Sequence, residues 1–252
     1  MTTSAIKIIA LIAMLIDHIG YYFYDQFGQW GPMLRLIGRV AFPLFIFAFI
    51  WGYYHIKNRR LQLFRLYLFG VLMSIINLVF LYFWQEKTVK FYPQHNIFLN
   101  FLFIGIGISI LENLKNNWRK SLKILLVAFV SVLLHAIILR VMNWDEMEGK
   151  ILSGFLPSIF YLEYHFWFVI LGILLYIFRN SKLAIVIIML MFSGWHFLTT
   201  SPIEPFQQGM MFVAVIFMLA YNGRKGANLK WLFYVIYPLH IVILYLIFVA
   251  GL

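Results

Sequence analysis

The chain has 252 residues, of which 63% are hydrophobic and 12% charged, with a formal net charge of +11 and a mean hydropathy of +0.88. This composition excludes a water-soluble globule and is typical of a protein whose helices lie in lipid. The chain has no cysteine, which excludes disulfides, thiolate metal sites and enzyme-bound thioester intermediates.

Hydrophobic segments of membrane-spanning length follow one another along the chain, separated by short polar breaks. A transmembrane helix needs about 20 residues, so the chain has room for roughly eight to ten. No small-residue cleavage site follows the first segment, which is therefore expected to be retained. The breaks predict nine spans, near residues 5–24, 33–54, 61–84, 95–112, 121–141, 154–178, 182–199, 207–221 and 229–250. We predict an all-α fold, a polytopic integral membrane helical bundle that forms one domain over residues 1–252.

Basic residues mark every second loop, at residues 57–60, 115–120, 179–182 and 222–226. Because Lys and Arg in short loops stay in the cytoplasm, the N-terminus is predicted inside and the C-terminus outside. Acidic residues fall mainly in the other loops: Asp25, Glu86 (with Lys87 and Lys90), Asp145, Glu146, Glu148 and Glu204. The positive charge is expected to contact anionic membrane lipids, and its dispersal among loops argues against nucleic-acid binding.

Ionisable side chains interrupt the first two spans. Asp17 and His18 lie in the first, and Arg35 and Arg39 in the second. Such residues are costly in a membrane and indicate a functional site by default. At about 1.5 Å per residue, Asp17, His18 and Arg39 come to similar depths in the outer half. Two interpretations of Asp17 stay open, a structural partner of Arg39 or a catalytic group, and Arg35 either anchors a helix end or joins the site.

Further polar residues fall in the middle or outer half of later spans. They are His95, Asn96, Glu163, Tyr164, His165, His196 and His240. His135, in an apolar helix, is expected to be a packing histidine, and His196 beside Trp195 to belong to the interfacial belt.

Seven segments, in order along nearly the whole chain, carry a family resemblance. They are residues 11–20, 35–45 and 55–60, Asn96, and residues 162–164, 221–223 and 237–240. In these segments the sequence resembles the TraX family of bacterial membrane proteins. The resemblance implies a multi-pass protein of the bacterial inner (plasma) membrane, related to transmembrane acyltransferases that use acetyl-CoA. The founding activity is N-terminal acetylation of conjugative pilin, and some relatives carry a fimbrial-assembly label.

The resemblance also implies a polar core, made of Asp17, His18, Arg39, Asn96 and His240. This chain departs from the family pattern after Glu163, where Asp followed by Tyr-Gly is expected and Tyr164-His165 is found. The departure weakens the transfer of any role to this turn.

Acyl transfer from a thioester explains these residue types. A base must take a proton from the attacking amine or hydroxyl, and a neutral histidine is suited to that step near pH 7. We predict His18 as the base, with His240 as the open alternative, and Arg39 and Asn96 as oxyanion donors. Substrate-binding residues are predicted at Arg35, Glu163, Tyr164 and His165. No metal is predicted.

The acyl-CoA donor carries phosphates and is expected to approach from the cytoplasmic side. Basic residues predicted to bind it are Lys57, Arg59, Arg60 and Arg65. Ordinary positive-inside charge explains these residues equally well. The acceptor stays undetermined among a peptide amine, a glycan hydroxyl and a lipid hydroxyl.

Two other functional classes are open from the sequence. Intramembrane His, Asp, Glu and Arg also build proton-coupled transporters, although paired halves and matching broken helices are not evident here. A non-catalytic factor for pilus or envelope assembly is the other alternative.

Overall fold

The structure is a computed structural model that describes residues 1–84, 95–199 and 208–250. Within these ranges the secondary structure is helical and contains no strand. The α-helices are α1 (Thr3–Tyr22), α2 (Trp30–Gly38), α3 (Ala41–His55), α4 (Arg59–Trp84), α5 (Ile97–Asn116), α6 (Trp118–Met142), α7 (Glu146–Phe155), α8 (Phe166–Ile177), α9 (Lys182–Thr199), α10 (Ala214–Leu219) and α11 (Lys230–Ala250). Two 3₁₀ turns cover Ile159–Tyr161 and Met210–Val213.

Seven helical segments of the described chain are long and apolar enough to cross a membrane. They are Thr3–Tyr22, Trp30–His55, Arg59–Tyr82, Ile97–Leu114, Trp118–Met142, Lys182–Thr199 and Trp231–Val249. These segments confirm the predicted all-α polytopic membrane fold. The sixth and eighth predicted spans hold the shorter apolar helices Phe166–Ile177 and Met210–Leu219, so the number of nine spans stays a prediction.

The sixth predicted span, residues 154–178, was wrong as a single helix. Helix α7 ends at Phe155, and irregular backbone with one 3₁₀ turn leads to α8. Pro157 explains the break, because proline pushes the residue before it out of the helical region. Leu156 accordingly has φ −118° and ψ 88°.

The second predicted span, residues 33–54, is also interrupted. Helix α2 ends at Gly38, and Arg39 and Val40 form a turn before α3 begins. Arg39 therefore lies at a junction between two helices and not inside one. The charges predicted for the loops at Glu86, Lys87, Lys90 and Glu204 lie outside the described residues.

The chain forms two compact units. The first joins Met1–His55 with Leu174–Leu252, and the second is Ile56–Ile173. The single domain over residues 1–252 stays a prediction.

In the first unit, α1 packs against α2, α3 and α11. Glycines make the contact between α1 and α2 close. A Cβ atom at Gly38 would lie 2.1 Å from the Cβ of Asp17, and one at Gly20 would lie 2.7 Å from that of Leu34. Small residues are the usual means by which membrane helices approach this closely.

The start of α1 is bonded to the loop that precedes α11. The backbone N–H of Thr3 donates to the Arg224 carbonyl at 2.9 Å, and that of Ser4 to the Lys225 carbonyl at 3.1 Å. Gly226 has a φ of +74°, and a side chain there would also meet the Ser4 hydroxyl. These bonds place both segments on one side of the membrane, as the predicted topology requires.

In the second unit, α4 packs against α5 and α7, and α5 packs against α6. The contact between α4 and α7 is tight, since a Cβ atom at Gly154 would lie 2.0 Å from the Ser74 hydroxyl. A capping box begins α7. The Asp145 carboxylate accepts from the Met147 N–H at 2.6 Å, and the Asp145 N–H donates to Glu148 at 3.1 Å. These acids therefore begin a helix within the predicted outer loop.

Candidate functional site

Asp17 and Arg35 form a buried ion pair in the first unit. An Arg35 Nη1 atom lies 2.6 Å from Asp17 Oδ2, and the two side chains are only 16% and 9% exposed. The guanidinium also lies 5.1 Å from the centre of the Tyr21 ring. A bare charge would be costly at this depth, so each side chain stabilises the other. Of the two interpretations of Arg35, the structure favours the one in which it joins the site, because its guanidinium pairs with Asp17.

Gly38 and Arg39 end α2 directly beside this pair. The absence of a side chain at Gly38 gives the Asp17 carboxylate its space. Arg39 follows at the turn, half-buried, with its backbone N–H bonded to the Arg35 carbonyl at 3.2 Å. The break in the helix thus sets a second guanidinium one residue after the glycine that contacts Asp17.

His18 and His240 meet across α1 and α11. The two rings are 4.8 Å apart between centroids, and the residues are 3% and 6% exposed. His18 Nδ1 lies 3.1 Å from His240 Nε2. Pro238 lies inside α11, two residues before His240, and contributes no backbone N–H to the helix.

Backbone carbonyls assign the tautomers of these two rings. Nδ1 of His18 lies 3.1 Å from the Met14 carbonyl, and Nδ1 of His240 lies 2.8 Å from the Ile236 carbonyl. A carbonyl oxygen can only accept, so each neutral ring carries its proton on Nδ1. The single Nδ1–H of His18 is then shared between the Met14 carbonyl and Nε2 of His240, which both accept from it. Nε2 of His18 remains as the unprotonated nitrogen of that ring.

A second polar cluster lies in the second unit, around Glu163 at the break before α8. Its Oε1 lies 2.8 Å from His95 Nδ1, and its Oε2 accepts from the backbone N–H of Asn96, also at 2.8 Å. Asn96 is the N-cap residue of α5, so this carboxylate lies at a helix N-terminus, where negative charge is stabilising.

The Asn96 side chain belongs to this cluster and is 4% exposed. Its amide nitrogen donates to the Gly70 carbonyl at 2.9 Å and to the Ser74 hydroxyl at 3.4 Å. One turn later, Asn100 exchanges hydrogen bonds with the backbone of Tyr164. The predicted residues Asn96, Glu163 and Tyr164 are therefore brought together within this unit.

Sequence reasoning missed three residues of this cluster. Asn100, Ser74 and Asn77 are all buried, and Asn77 donates to the His95 carbonyl at 3.3 Å. The spacing of Asn96 and Asn100 is a signal that could have found Asn100, because residues four apart lie on one helix face. His165 stands apart from the others as an exposed residue.

The basic residues predicted for the donor lie at the start of α4. Lys57 and Arg60 are exposed, and Arg65 is half-buried. Arg59 forms an ion pair with Glu112, with an Nη2 to Oε1 distance of 3.1 Å.

Two further histidines were predicted to have structural roles, His135 in packing and His196 in the interfacial belt. His135 is 1% exposed, bonds the Leu156 carbonyl through Nδ1 at 3.0 Å and stacks on Tyr161. His196 is half-buried beside Phe192, with ring centroids 4.7 Å apart.

The fold and these clusters define a multi-pass α-helical membrane protein that buries ionisable side chains in each of its two units. The family profile described as TraX protein matches residues 2–248. The chain therefore belongs to the TraX family, which confirms the resemblance found in the sequence.

Two relatives are similar in sequence. One is the probable fimbrial assembly protein FimC, serogroup H1, of Dichelobacter nodosus, 25% identical over 244 residues that cover 95% of this chain and 92% of the relative. The other is the uncharacterized protein RP591 of Rickettsia prowazekii (strain Madrid E), 36% identical over 70 residues that cover 28% of this chain and 25% of the relative. No solved structure matches the chain.

Proposed function

We propose that the protein is a membrane-embedded acyltransferase that moves an acetyl group from acetyl-CoA to an acceptor amine or hydroxyl, with His18 as the general base. The observation that carries the proposal is the contact between His18 and His240. The contacts of the two rings with backbone carbonyls and with each other favour the Nδ1–H tautomer of both rings, in which Nε2 is the basic nitrogen of His18. This geometry favours His18 over His240 as the base.

The reaction follows from that nitrogen. His18 Nε2 takes the proton of the acceptor while the acceptor nitrogen or oxygen attacks the thioester carbonyl carbon. The tetrahedral intermediate then collapses, the C–S bond breaks, and the departing CoA sulfur takes the proton from His18 Nε2, which restores the neutral imidazole. While His18 is protonated, its Nδ1–H donates to His240, and a charge-assisted hydrogen bond of this kind is stronger than a neutral one.

Arg39 is the oxyanion donor that we retain. It is a half-buried guanidinium fixed at a helix junction in the same unit as His18. A fixed donor in a dry site stabilises a developing negative charge by about 3 to 4 kcal/mol. The amide hydrogens of Asn96 already donate to Gly70 and Ser74, so we assign Asn96 to positioning within the second unit.

The ion pair of Asp17 and Arg35 supports this chemistry by neutralising two charges beside the histidine pair. Asp17 precedes His18 in α1, and its carboxylate is held by Arg35. We propose that the pair fixes α1 against α2 and that Arg35 contributes to acceptor binding from this position.

The donor and acceptor follow from the family and from charge. Phosphates of acyl-CoA are proposed to bind Lys57, Arg59, Arg60 and Arg65, since Arg and Lys are the usual phosphate ligands. The bacterial inner membrane is the proposed location. The acceptor is proposed to be extracytoplasmic or membrane-bound, either a pilin-like peptide amine or a glycan or lipid hydroxyl.

A second candidate function is a non-catalytic assembly factor for a pilus or the envelope. The relative from Dichelobacter nodosus is named a probable fimbrial assembly protein and matches most of this chain, which favours this candidate. An assembly factor requires binding of a subunit and no chemistry at His18.

Transfer of radiolabelled acetyl from acetyl-CoA in membranes separates the two. Wild type, His18→Ala and Arg39→Ala are compared at matched expression, with His55→Ala as the control because His55 is exposed and outside the cluster. The acyltransferase labels an endogenous species with wild type and the control, and loses that label in both site variants. If wild-type membranes neither transfer acetyl from acetyl-CoA nor hydrolyse it, the acyltransferase proposal is contradicted and the assembly factor is the remaining candidate.

A further inference from the structure

Helices α4, α5 and α6 of the second unit, with the end of α7, line an open cavity of about 1100 Å³. One end is lined by basic side chains, and the rest of the wall is mostly apolar. The basic residues are Arg59, Arg60, Lys120 and Lys123, and the apolar wall includes Leu63, Phe103, Ile106, Ile124, Val127 and Phe155. The function proposed above does not account for this apolar depth.

The cavity has the length of a lipid chain segment. Lys120 lies near the start of α6, and Ser131 lines the cavity on the same helix. Eleven residues of helix at 1.5 Å each separate them by about 16 Å. The charged and apolar ends are therefore distinct, as in an amphiphile with one charged head.

The charge at the basic end is in excess. Glu112 is the one acidic residue among the described residues that line the cavity, and Arg59 already pairs with it. Arg60, Lys120 and Lys123 add three positive charges beside that pair. This surplus selects an anionic head.

Helix α6 makes the cavity accessible from the bilayer. Only 11% of this span is buried, and Val127, which lines the cavity, is 71% exposed. A ligand that already lies in the membrane can therefore reach the apolar wall sideways.

We propose that this cavity binds an acidic phospholipid, with the headgroup phosphate on Arg60, Lys120 and Lys123 and an acyl chain along the apolar wall. Basic pockets between transmembrane helices are known to hold anionic lipid heads. The inference goes beyond the proposed acyl transfer and does not depend on it. Acetyl-CoA, like a phospholipid, carries phosphate, but it has no long hydrocarbon chain to lie along this apolar wall.

The test is native mass spectrometry of the purified full-length protein with phosphatidylglycerol and with phosphatidylcholine of the same chains. The double variant Lys120→Gln, Lys123→Gln removes two charges of the cavity. Each is worth about fivefold in affinity, so phosphatidylglycerol binding is expected to weaken roughly 25-fold. The matched control, Lys182→Gln with Lys225→Gln, changes exposed lysines outside the cavity and is expected to bind like wild type.

A second variant tests the apolar end without changing charge. Ala128 lines the cavity, and Ala128→Phe is expected to reduce phosphatidylglycerol binding several-fold, whereas Leu126→Phe, on the exposed side of α6, is expected to have no effect. Equal binding of phosphatidylcholine, or unchanged phosphatidylglycerol binding by the lysine variant, would each overturn the proposal.

Discussion

His18 Nδ1 and His240 Nε2 lie 3.1 Å apart although 222 residues separate them in the chain. The contact joins the first and last described helices of the protein through two buried imidazoles. Each ring is also bonded to a carbonyl four residues earlier in its own helix. The pair is therefore oriented by contacts with two backbone carbonyls and by the contact between the two rings.

The Asp17 and Arg35 pair is expected to be essential to stability. Asp17→Asn leaves a mostly buried guanidinium without its carboxylate, so we expect a loss of about 3 to 5 kcal/mol in the free energy of unfolding. Denaturant unfolding in mild detergent measures it. The double variant Asp17→Leu, Arg35→Met removes both charges and is expected to recover most of the loss. A single variant as stable as wild type would contradict the importance of the pair.

Gly38→Ala is expected to destabilise the contact between α1 and α2. The added methyl group would lie 2.1 Å from Asp17, so the helices must separate or the carboxylate must move, at a cost of about 1 to 3 kcal/mol. Gly52→Ala is the matched control, because a Cβ there meets no atom within 4 Å. The control is expected to be neutral or slightly stabilising, since alanine favours helix over glycine. Thermal unfolding that ranks the two variants the other way would refute the close approach.

Glu163→Gln tests the cluster at the start of α5. The substitution removes the negative charge of the carboxylate that contacts His95 Nδ1 and accepts from the Asn96 N–H. A hydrogen bond to a charged group contributes about 1.5 to 3 kcal/mol to stability. We expect a loss of that size in unfolding free energy and faster amide exchange in the first turn of α5. Unaltered exchange there would show that Glu163 does not cap this helix.

Stability is expected to depend on pH through the pair of Glu146 and Lys150. The hydrogen bond from Lys150, and then its positive charge, lower the pKa of Glu146 below its usual value. The stabilisation is therefore present above the pKa of an unfolded glutamate, about 4.3, and is lost as the pH falls through the lowered value. Because the pair is exposed, the effect is small. Nuclear magnetic resonance titration of Glu146 in wild type and Lys150→Met measures it, and equal pKa values would contradict the contribution of Lys150.

The membrane fold could be predicted from hydrophobic length alone, because lipid requires every spanning segment to satisfy its own backbone. The breaks were harder to place. Pro157 signals the break between α7 and α8, but the apolar residues around it led to the prediction of one continuous span. The break at Arg39 also has a proline signal, because Pro43 lies four residues later in the first turn of α3 and has no N–H to donate to the Arg39 carbonyl. The close packing of Gly38 against Asp17 at this break is not evident from the sequence.

The residues of the candidate site could be predicted from the sequence, but the contacts between them could not. Asp17, Arg35 and Arg39 stand out as charges in apolar helices, yet the choice of Arg35 as ion-pair partner depends on how α2 lies on α1. Likewise, His18 and His240 were each identifiable, whereas their contact is a long-range feature of the tertiary structure. Asn100 and Ser74 were missed because single amides and hydroxyls are common in membrane helices.

The central claim is that His18 is the base and His240 positions it. The most direct measurement is the initial rate of labelled acetyl transfer over a range of acetyl-CoA concentrations, in matched membranes of wild type, His18→Gln and His240→Gln. We predict a loss of about 10²- to 10⁴-fold for His18→Gln, and a smaller loss in kcat with unchanged KM for His240→Gln. Transfer by His18→Gln at the wild-type rate, or a larger loss for His240→Gln than for His18→Gln, would contradict the account.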